Sequence, residues 1–212
     1  MKKIVVSTIM VSAILLTGCS HKTNYKVKKE QYDELCNYES YLPKMNSLNF
    51  TVTVRETVGD KNYEYITKFD NGKVESITSY STFYVVFEKG SYNSENQTFN
   101  YEGYFKAEGT WVKDSYQNET MPDDIYLPDV GFILTYDELE YNSETHYYEQ
   151  IAESKTLNEY YVYSEVKVQF VDGKVTYISH KYKNTFEPEK EHLTVVEITD
   201  YGSTKVNLPN VQ

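Results

Sequence analysis

Apolar and polar residues alternate along most of the sequence beyond residue 50. In residues 50–58, an apolar side chain occupies every second position except at Glu56, and threonine or arginine fills the positions between. A period of two is typical of a β-strand with one buried and one exposed face. The same kind of pattern predicts further strands at 62–69, 73–80, 81–88, 98–105, from 110 onward, 160–171, 174–182 and 192–201.

Two tight turns are marked within this pattern. Asp70-Asn71-Gly72 and Asp172-Gly173 each separate two strand-like runs, and Asn-Gly or Asp-Gly accepts the positive φ angles of a two-residue hairpin turn. The sequences around the two turns, 69–78 and 170–179, resemble each other at an offset of 101 residues. Two explanations remain open: a duplicated hairpin unit, or two hairpins that obey the same turn chemistry.

The alternation is absent from two regions. In residues 30–41, Tyr32, Leu35 and Cys36 lie at helical spacing, which predicts a helix that is terminated by Pro43. Residues 121–151 contain two prolines and an acidic stretch, and they predict short helical turns at 136–139 and 147–151. The predicted fold class is therefore mainly β (α+β), with a curved antiparallel sheet packed on one N-terminal helix and short central helices.

The first nineteen residues have the features of a signal sequence. Two lysines precede an apolar stretch, 4–16, that is shorter than the roughly 20 residues needed to span a bilayer. The stretch ends in Leu16-Thr17-Gly18-Cys19, which resembles the bacterial lipobox. The resemblance implies cleavage between Gly18 and Cys19 and a diacylglyceryl group on the Cys19 sulfur. The alternative is an ordinary secretory signal with a chance cysteine.

These features divide the chain into a signal peptide at 1–18, a lipidated cysteine and basic tether at 19–29, and one β domain at 30–212. The partner expected from Cys19 is the cell membrane, with the protein attached through lipid and facing outside the cytoplasm. The tether carries four lysines and no acidic residue. It either lies on anionic lipid headgroups, which attract such segments, or serves as a solvated linker.

The charge balance of the chain excludes one class of partner. There are 32 acidic residues against 21 basic ones, a net charge of -11. Binding to nucleic acid needs a basic surface, so no nucleic acid partner is expected. Protein partners are not predicted by any feature of the sequence.

No pattern of residues predicts catalysis, a cofactor or a metal. Asp123, Asp124 and Asp129 lack the spacing of a calcium loop, and Cys36 is predicted to be a small buried apolar residue. The histidines show no metal-ligand spacing: His21, His146, His180 and His192. The prediction is a protein that is not an enzyme and holds neither cofactor nor metal.

The order of the elements resembles uncharacterised bacterial surface lipoproteins with the half-barrel fold of the lipoprotein-carrier (LolA/LppX-like) superfamily. The matching pieces, within about residues 28–210, are Gln31-Tyr32-Asp33, Trp111-Val112-Lys113, Phe170-Val171-Asp172-Gly173-Lys174-Val175 and the closing run from Asp200 to Pro209. The resemblance implies a curved sheet over helices, with an apolar cavity that carries acyl chains or lipidated partners. The small number of predicted helical residues departs from this pattern and puts a roomy, lidded cavity in doubt.

Two functions follow as hypotheses. The first is a non-enzymatic, membrane-anchored protein that binds a lipid or other apolar small molecule on the concave face of the sheet. Its candidate ligand residues are the inward aromatic and aliphatic side chains Phe50, Val52, Val54, Tyr65, Phe69, Phe83, Val85 and Phe99. The alternative is a surface module that binds envelope polymer or protein through tyrosine-rich strand faces such as Tyr160, Tyr161 and Tyr163. The 23 tyrosines also fit half-buried strands and compositional bias.

Overall fold

A computed structural model describes residues 22–211. It contains one α-helix, α1 (Lys29–Leu35), and 3-10 helices at Tyr38–Ser40, Leu42–Ser47 and Tyr136–Glu138. The strands are β1 (Asn49–Val58), β2 (Lys61–Asp70), β3 (Lys73–Ile77), β4 (Thr82–Phe87), β5 (Thr98–Ala107), β6 (Thr110–Thr120), β7 (Leu139–Tyr141), β8 (Tyr148–Gln150), β9 (Lys155–Leu157), β10 (Tyr161–Val171), β11 (Lys174–Asn184) and β12 (Glu187–Thr199).

All the strands belong to one open antiparallel sheet. Its order is β6-β5-β4-β3-β2-β1-β12-β11-β10-β8-β7, and β9 pairs with β10 beside β8. The pairing of β1 with β12 joins the two ends of the domain across the middle of the sheet. This architecture confirms the predicted fold class of a curved antiparallel half-barrel.

The two marked turns close hairpins, as predicted. Asn71 and Gly72 have φ angles of 51° and 91°, and Asp172 and Gly173 have 50° and 74°. Both turns lie at the same end of the sheet, which we call the lower end. The upper end carries the β1–β2 turn at Gly59 and the β11–β12 turn at Phe186.

The chain itself fills the lower half of the concave face. α1 and the following 3-10 helices contribute buried side chains such as Tyr32, Leu42 and Met45, which pack in one core with the inward residues of the strands. The segment 121–135 then crosses the concave face of the sheet. The Ser76 hydroxyl donates to the backbone carbonyl of Asp124 at 2.6 Å, and the Tyr126 N–H donates to Thr67 Oγ1 at 3.1 Å. These bonds fix the segment at mid-height of β2 and β3.

Three local predictions differ from the structure. α1 ends at Leu35 rather than Tyr41, and Pro43 lies in the first turn of a 3-10 helix instead of ending the α-helix. Proline is compatible with that position because the N–H it lacks has no partner there. The predicted helical turn at 136–139 is present, but Tyr148–Gln150 is a strand that pairs with β10. β12 also begins at Glu187, five residues earlier than predicted.

Residues 24–28, which the sequence assigns to the tether, contact the domain. The Asp172 N–H donates to the Asn24 carbonyl at 2.8 Å, and the Val27 N–H donates to the Tyr148 hydroxyl at 2.9 Å. Val27 is 6% exposed. The Tyr25 ring stacks on His146 with 4.1 Å between ring centroids. This segment, which we call the strap, is therefore held at the lower end of β10 and β11.

None of the helices within residues 22–211 combines the length and the apolar character needed to cross a membrane.

Candidate functional site

The predicted ligand residues divide into two groups. Six are almost fully buried in the core of the lower half and have no free surface for a ligand: Phe50, Val52, Val54, Phe69, Val85 and Phe99. Tyr65 and Phe83 are half-buried and pack against the edge of that core. The concave face is thus closed where the first group lies, and these two residues reach the part that remains open.

The open part near β4 and β5 is a shallow groove. A depression of about 600 Å³ has an aromatic part, made by Tyr80, Phe83 and Phe105, and a polar part: Thr78, Ser81, Thr82 and Lys106. A second depression of about 310 Å³ shares Phe83 and Phe105 and extends over Gly103. At Gly103 an added Cβ would lie 2.9 Å from the Tyr116 ring, so the ring would have to move. We call the combined surface the Phe83 groove.

The other part of the open face lies above β12, β11 and β10 and consists of aromatic rings. Ring contacts connect the five side chains of this surface, which we call the Tyr–His cluster: Tyr161, Tyr163, His180, Tyr182 and His192. The closest pair is Tyr182 and His192, stacked with centroids 4.3 Å apart. Phe132, from the crossing segment, packs edge-on against Tyr163 at 6.0 Å.

Glu56 lies beside this cluster at the upper end of β1. The Tyr182 hydroxyl donates to Glu56 Oε1 at 2.8 Å, and His192 Nδ1 lies 3.0 Å from the same oxygen. Glu56 continues the inward series that begins with Phe50, Val52 and Val54. At the boundary between the core and the open face, the inward position of β1 is therefore occupied by a carboxylate instead of an apolar side chain.

Glu56 also influences the phenols toward the middle of the sheet. The Tyr65 and Tyr126 rings lie 5.2 Å apart. Burial, followed by the negative charge of Glu56, raises the pKa of Tyr65. Burial raises the pKa of Tyr126 to about 12, and Tyr65, Asp124 and Glu56 add to this shift in decreasing order. For Tyr182, burial followed by its hydrogen bond to Glu56 raises the pKa far above the usual value. Each of these side chains is consequently a neutral phenol at pH 7.

His180 is the most enclosed member of the cluster. It is 8% exposed, and its Nδ1 has no hydrogen-bond partner among the described residues. Burial lowers the pKa of His180 to about 4, and the charge of Glu56 only partly opposes this shift. His180 is therefore an uncharged imidazole at neutral pH, with one ring nitrogen that accepts and one that donates.

Two irregularities in the strands bring these rings to one face. In β10, Glu165 has a φ of 53°, and the register with β11 shifts between Ser164 and Lys167. Such a bulge inserts one extra residue, so Tyr163 lies on the same face as Val166 although three positions separate them. The register shifts again between Gln169 and Phe170.

The alternation of residues does not reveal the whole cluster for that reason. Strict alternation places Tyr161 and Tyr163 on the face opposite Val166, and the sequence predicts these two residues as part of a tyrosine-rich face that binds polymer or protein. The histidines have no spacing signal because the strands, rather than the chain order, bring them together. One signal was present: Glu56 is the charged member of an otherwise apolar strand face.

Exposed aromatic residues continue upward from the cluster. Tyr160 and Phe186 stack at 5.4 Å with an angle of 24° between the rings, and they are 47% and 75% exposed. The Thr185 N–H donates to the Tyr160 carbonyl, which holds the two turns together. Of the predicted row, Tyr160 and Tyr161 are exposed, whereas Tyr163 is 9% exposed.

The remaining candidates are distributed elsewhere. Cys36 is fully buried, as expected of a small apolar residue, and burial raises the pKa of its thiol. Burial also raises the pKa of Asp129 to about 6. No group of three or more metal-binding side chains occurs within residues 22–211. Gly18 and Cys19 lie outside the described residues, as does His21.

Comparison with known proteins finds similarity to solved structures. No protein-family model matches the chain, and no curated protein matches it. Two similar solved structures are a DUF1329 family protein from Desulfovibrio piger, with 11% identity and a TM-score of 0.26, and a LolA superfamily protein from Nitrosomonas europaea, with 11% identity and a TM-score of 0.25. Each alignment covers 85% of this chain, and 94% and 93% of the respective partner.

Proposed function

We propose that the protein is a membrane-anchored, extracytoplasmic binding protein that holds a lipid or other apolar ligand on the open upper half of its concave face. The observation that carries the proposal is the division of that face. The chain fills the lower half with its own side chains and leaves partly uncovered Tyr65, Phe83, Phe105 and three members of the Tyr–His cluster: Tyr161, Tyr182 and His192. Concave surfaces with aromatic lining and few polar groups are the usual form of small-molecule sites.

The proposed site is a groove rather than an enclosed cavity. The depressions above Phe83 are shallow, and the crossing segment closes the space below them. A bound ligand would therefore lie along the face with one side toward solvent. This geometry favours exchange with a partner or with the medium over long-term storage.

The position of the strap indicates which end of the domain the proposed anchor would hold near the membrane. Five residue steps separate Cys19 from Asn24, which an extended chain spans in at most about 17 Å. Asn24 is bonded to Asp172 at the lower end of β10, and that strand of 11 residues is about 36 Å long. A lipid on Cys19 would hold the lower end near the membrane, with the open face directed away from it. On this proposal the ligand would approach from outside rather than from the anchoring bilayer.

The binding proposal is tested with the full-length protein and the neutral fluorescent probe N-phenyl-1-naphthylamine. Phe83→Asn should abolish most of the probe fluorescence, whereas Val86→Asn, on the opposite face of the same strand and outside the lining of the groove, should preserve it. Mass spectrometry of the purified protein should find a co-purifying lipid or apolar molecule. Equal fluorescence in the two variants, with no co-purifying molecule, would contradict the proposal.

The anchoring proposal has a separate test. Mass spectrometry of the N-terminal peptide should show a diacylglyceryl group on Cys19, and Cys19→Ala should move the protein from the membrane fraction to the soluble fraction. An unmodified Cys19, or a Cys19→Ala protein that stays with the membrane, would contradict it.

A second candidate function is favoured by the Tyr160–Phe186 pair. Stacked, exposed rings at a strand end offer a rigid apolar face to a polymer or protein. Replacement of both residues by serine should then abolish capture of envelope polymer in a pull-down. Capture that is unchanged by the double replacement would exclude this surface.

A further inference from the structure

We propose that Glu56 and the rings around it bind the positively charged nitrogen of an alkylammonium group. The proposal rests on the proposed function and deepens it, because it assigns the class of ligand group held at the β1–β12 side of the same open face. It concerns a site that is distinct from the Phe83 groove, where the apolar part of a ligand would lie.

The first argument is the state of the Glu56 carboxylate. Other carboxylates on neighbouring strands are paired with a permanent cation: Glu64 and Glu197 contact Arg55, and Glu75 contacts Lys68. Within the described part of the chain, the basic group bonded to Glu56 is His192, which is charged only when protonated. The half-buried carboxylate therefore lacks a lysine or arginine to balance it.

The second argument is the geometry of its hydrogen bonds. The contacts from Tyr182 and His192 both fall on Oε1. Neither contact involves Oε2, so the second oxygen keeps its acceptor capacity. A carboxylate can accept about four hydrogen bonds, and an ammonium group is a donor only. The free acceptor of the protein thus matches the donor of the proposed ligand.

The third argument is the electrostatic potential over the rings. Burial is the larger cause of the raised pKa values of Tyr65 and Tyr182, and the negative charge of Glu56, which accepts a hydrogen bond from the Tyr182 hydroxyl, adds to both. Burial keeps His180 uncharged, so that imidazole does not compensate. The whole chain has a net charge of -11, which adds to the attraction for a cation.

The fourth argument is the ring surfaces themselves. The face of a phenol ring attracts a cation at a distance of up to about 6 Å from its centroid. Tyr182, whose hydroxyl contacts the carboxylate, has the Tyr161 ring 6.0 Å away and the Tyr163 ring 5.7 Å away. Such rings also stack on neutral sugars, but a neutral sugar gains nothing from the negative potential. The charge therefore decides between the two ligand classes in favour of the ammonium group.

His180 adds an observation of the same kind. Its Nδ1 is buried without a partner among the described residues, although buried polar atoms are normally hydrogen-bonded. The cluster thus contains a polar atom that the protein itself leaves unsatisfied, next to rings that line the open face. A site that is complete without a ligand would be expected to satisfy it.

The experiment compares two probes of similar size, butylammonium and the neutral butan-1-ol, by NMR titration of the full-length protein at low ionic strength. Butylammonium should bind about tenfold more tightly than butan-1-ol. Glu56→Gln keeps the side-chain shape and an acceptor for Tyr182, and it should remove that difference. Equal binding of the two probes by the unmodified protein would overturn the proposal.

The matched control is Glu64→Gln. It removes the same charge from the adjacent strand, on the face where Glu64 contacts Arg55. Binding of butylammonium should be unchanged in this variant; an equal loss in both variants would mean attraction to net charge alone and would overturn the proposal. Tyr182→Leu, a second variant that keeps the carboxylate but removes a ring face, should weaken butylammonium binding about threefold. An unchanged affinity in Tyr182→Leu would exclude the ring contribution.

The fluorescence of N-phenyl-1-naphthylamine, measured on the same samples, distinguishes the proposed apolar site from the proposed ammonium site. Glu56→Gln should leave this fluorescence unchanged, because the probe is neutral and the Phe83 groove is intact. One outcome would contradict the proposed apolar function and support the ammonium site: the protein fails to bind N-phenyl-1-naphthylamine but binds butylammonium more tightly than butan-1-ol. The reverse result would contradict the ammonium site alone.

Discussion

The lower and upper halves of the concave face are built from the same strands but have different chemistry. Toward the lower end, β1 and β10 contribute side chains such as Val52 and Phe170 that are completely buried. Toward the upper end, the same strands contribute Glu56 and Tyr161, which are only partly covered. Stability and binding are thereby separated along the strand axis. Substitutions in the two halves should consequently have different effects.

The largest effect is expected in the lower half. Phe170 is fully buried and contacts the rings of Tyr32 and Tyr148. Phe170→Ala should lower the free energy of unfolding by about 3–5 kcal/mol, because it removes buried apolar surface and leaves a cavity. Tyr161→Ala, in the upper half of the same strand, should cost less than about 1 kcal/mol. Urea denaturation measures both, and equal losses would contradict the separation.

The next effect is a pH dependence that originates in the upper half. Because burial lowers the pKa of His180 to about 4, the folded protein resists protonation that the unfolded chain accepts near pH 6.5. The stability due to neutral His180 is complete above pH 6.5 and is lost as the pH falls toward 4. The loss is on the order of 3 kcal/mol.

The measurement is the free energy of unfolding from pH 7 to pH 4 in the unmodified protein and in His180→Gln, which cannot be protonated. Asp129 acts in the opposite direction: its pKa is raised to about 6, so its contribution to stability is lost as the pH rises through that value. Both proteins carry Asp129, and its effect cancels in the difference between them. Parallel curves for the two proteins would show that His180 is not the buried neutral imidazole described here.

A smaller effect is expected at the strap. The Tyr148 hydroxyl accepts a hydrogen bond from the Val27 N–H at 2.9 Å and donates one to the Val27 carbonyl at 3.1 Å. Tyr148→Phe leaves these groups without that partner and should cost about 1–2 kcal/mol. It should also increase cleavage by trypsin after Lys26 and Lys28. Tyr147→Phe, whose ring contacts Tyr177 instead, is the matched control and should leave the cleavage rate unchanged.

The smallest effect is expected at the exposed upper rim. Replacement of Tyr160 and Phe186 by serine should change the free energy of unfolding by about 0.5 kcal/mol or less for each residue, because these rings are largely exposed in the folded protein. Thermal unfolding monitored by circular dichroism is the measurement. A loss comparable to that of Phe170→Ala would place the rim within the core and remove the distinction between the two halves.

Much of the fold could be predicted because it depends on local patterns. The alternation in residues 50–58 and the turn at Asn71-Gly72 each determine an element without reference to the rest of the chain. The limits of α1 could not be predicted in the same way. Its short helix is continued by 3-10 turns, and the Cys36 carbonyl accepts from the N–H groups of Val130 and Gly131 in the distant crossing segment.

The candidate site shows the same distinction more sharply. Phe83 and Tyr65 were identified from alternation, but alternation could not tell that six of the eight predicted ligand residues would be covered by the chain itself. The bulge at Glu165 reverses the face of Tyr163, and no turn residue in the sequence marks it. The local pattern therefore identified which side chains point inward. The path of segment 121–135 decides which of these side chains the chain itself covers.

The sequence by itself determined the period of each strand, the two hairpin turns and the position of one charged residue on an apolar face, because these depend on neighbours within a few residues. Only the tertiary structure decided which half of the concave face is filled and that Glu56, His192 and Tyr182 meet. β1, β11 and β12 are adjacent in the sheet, although well over 100 residues separate Glu56 from its two partners. Contacts over such separations depend on strand pairing and bulges, which local hydrophobic patterns do not encode.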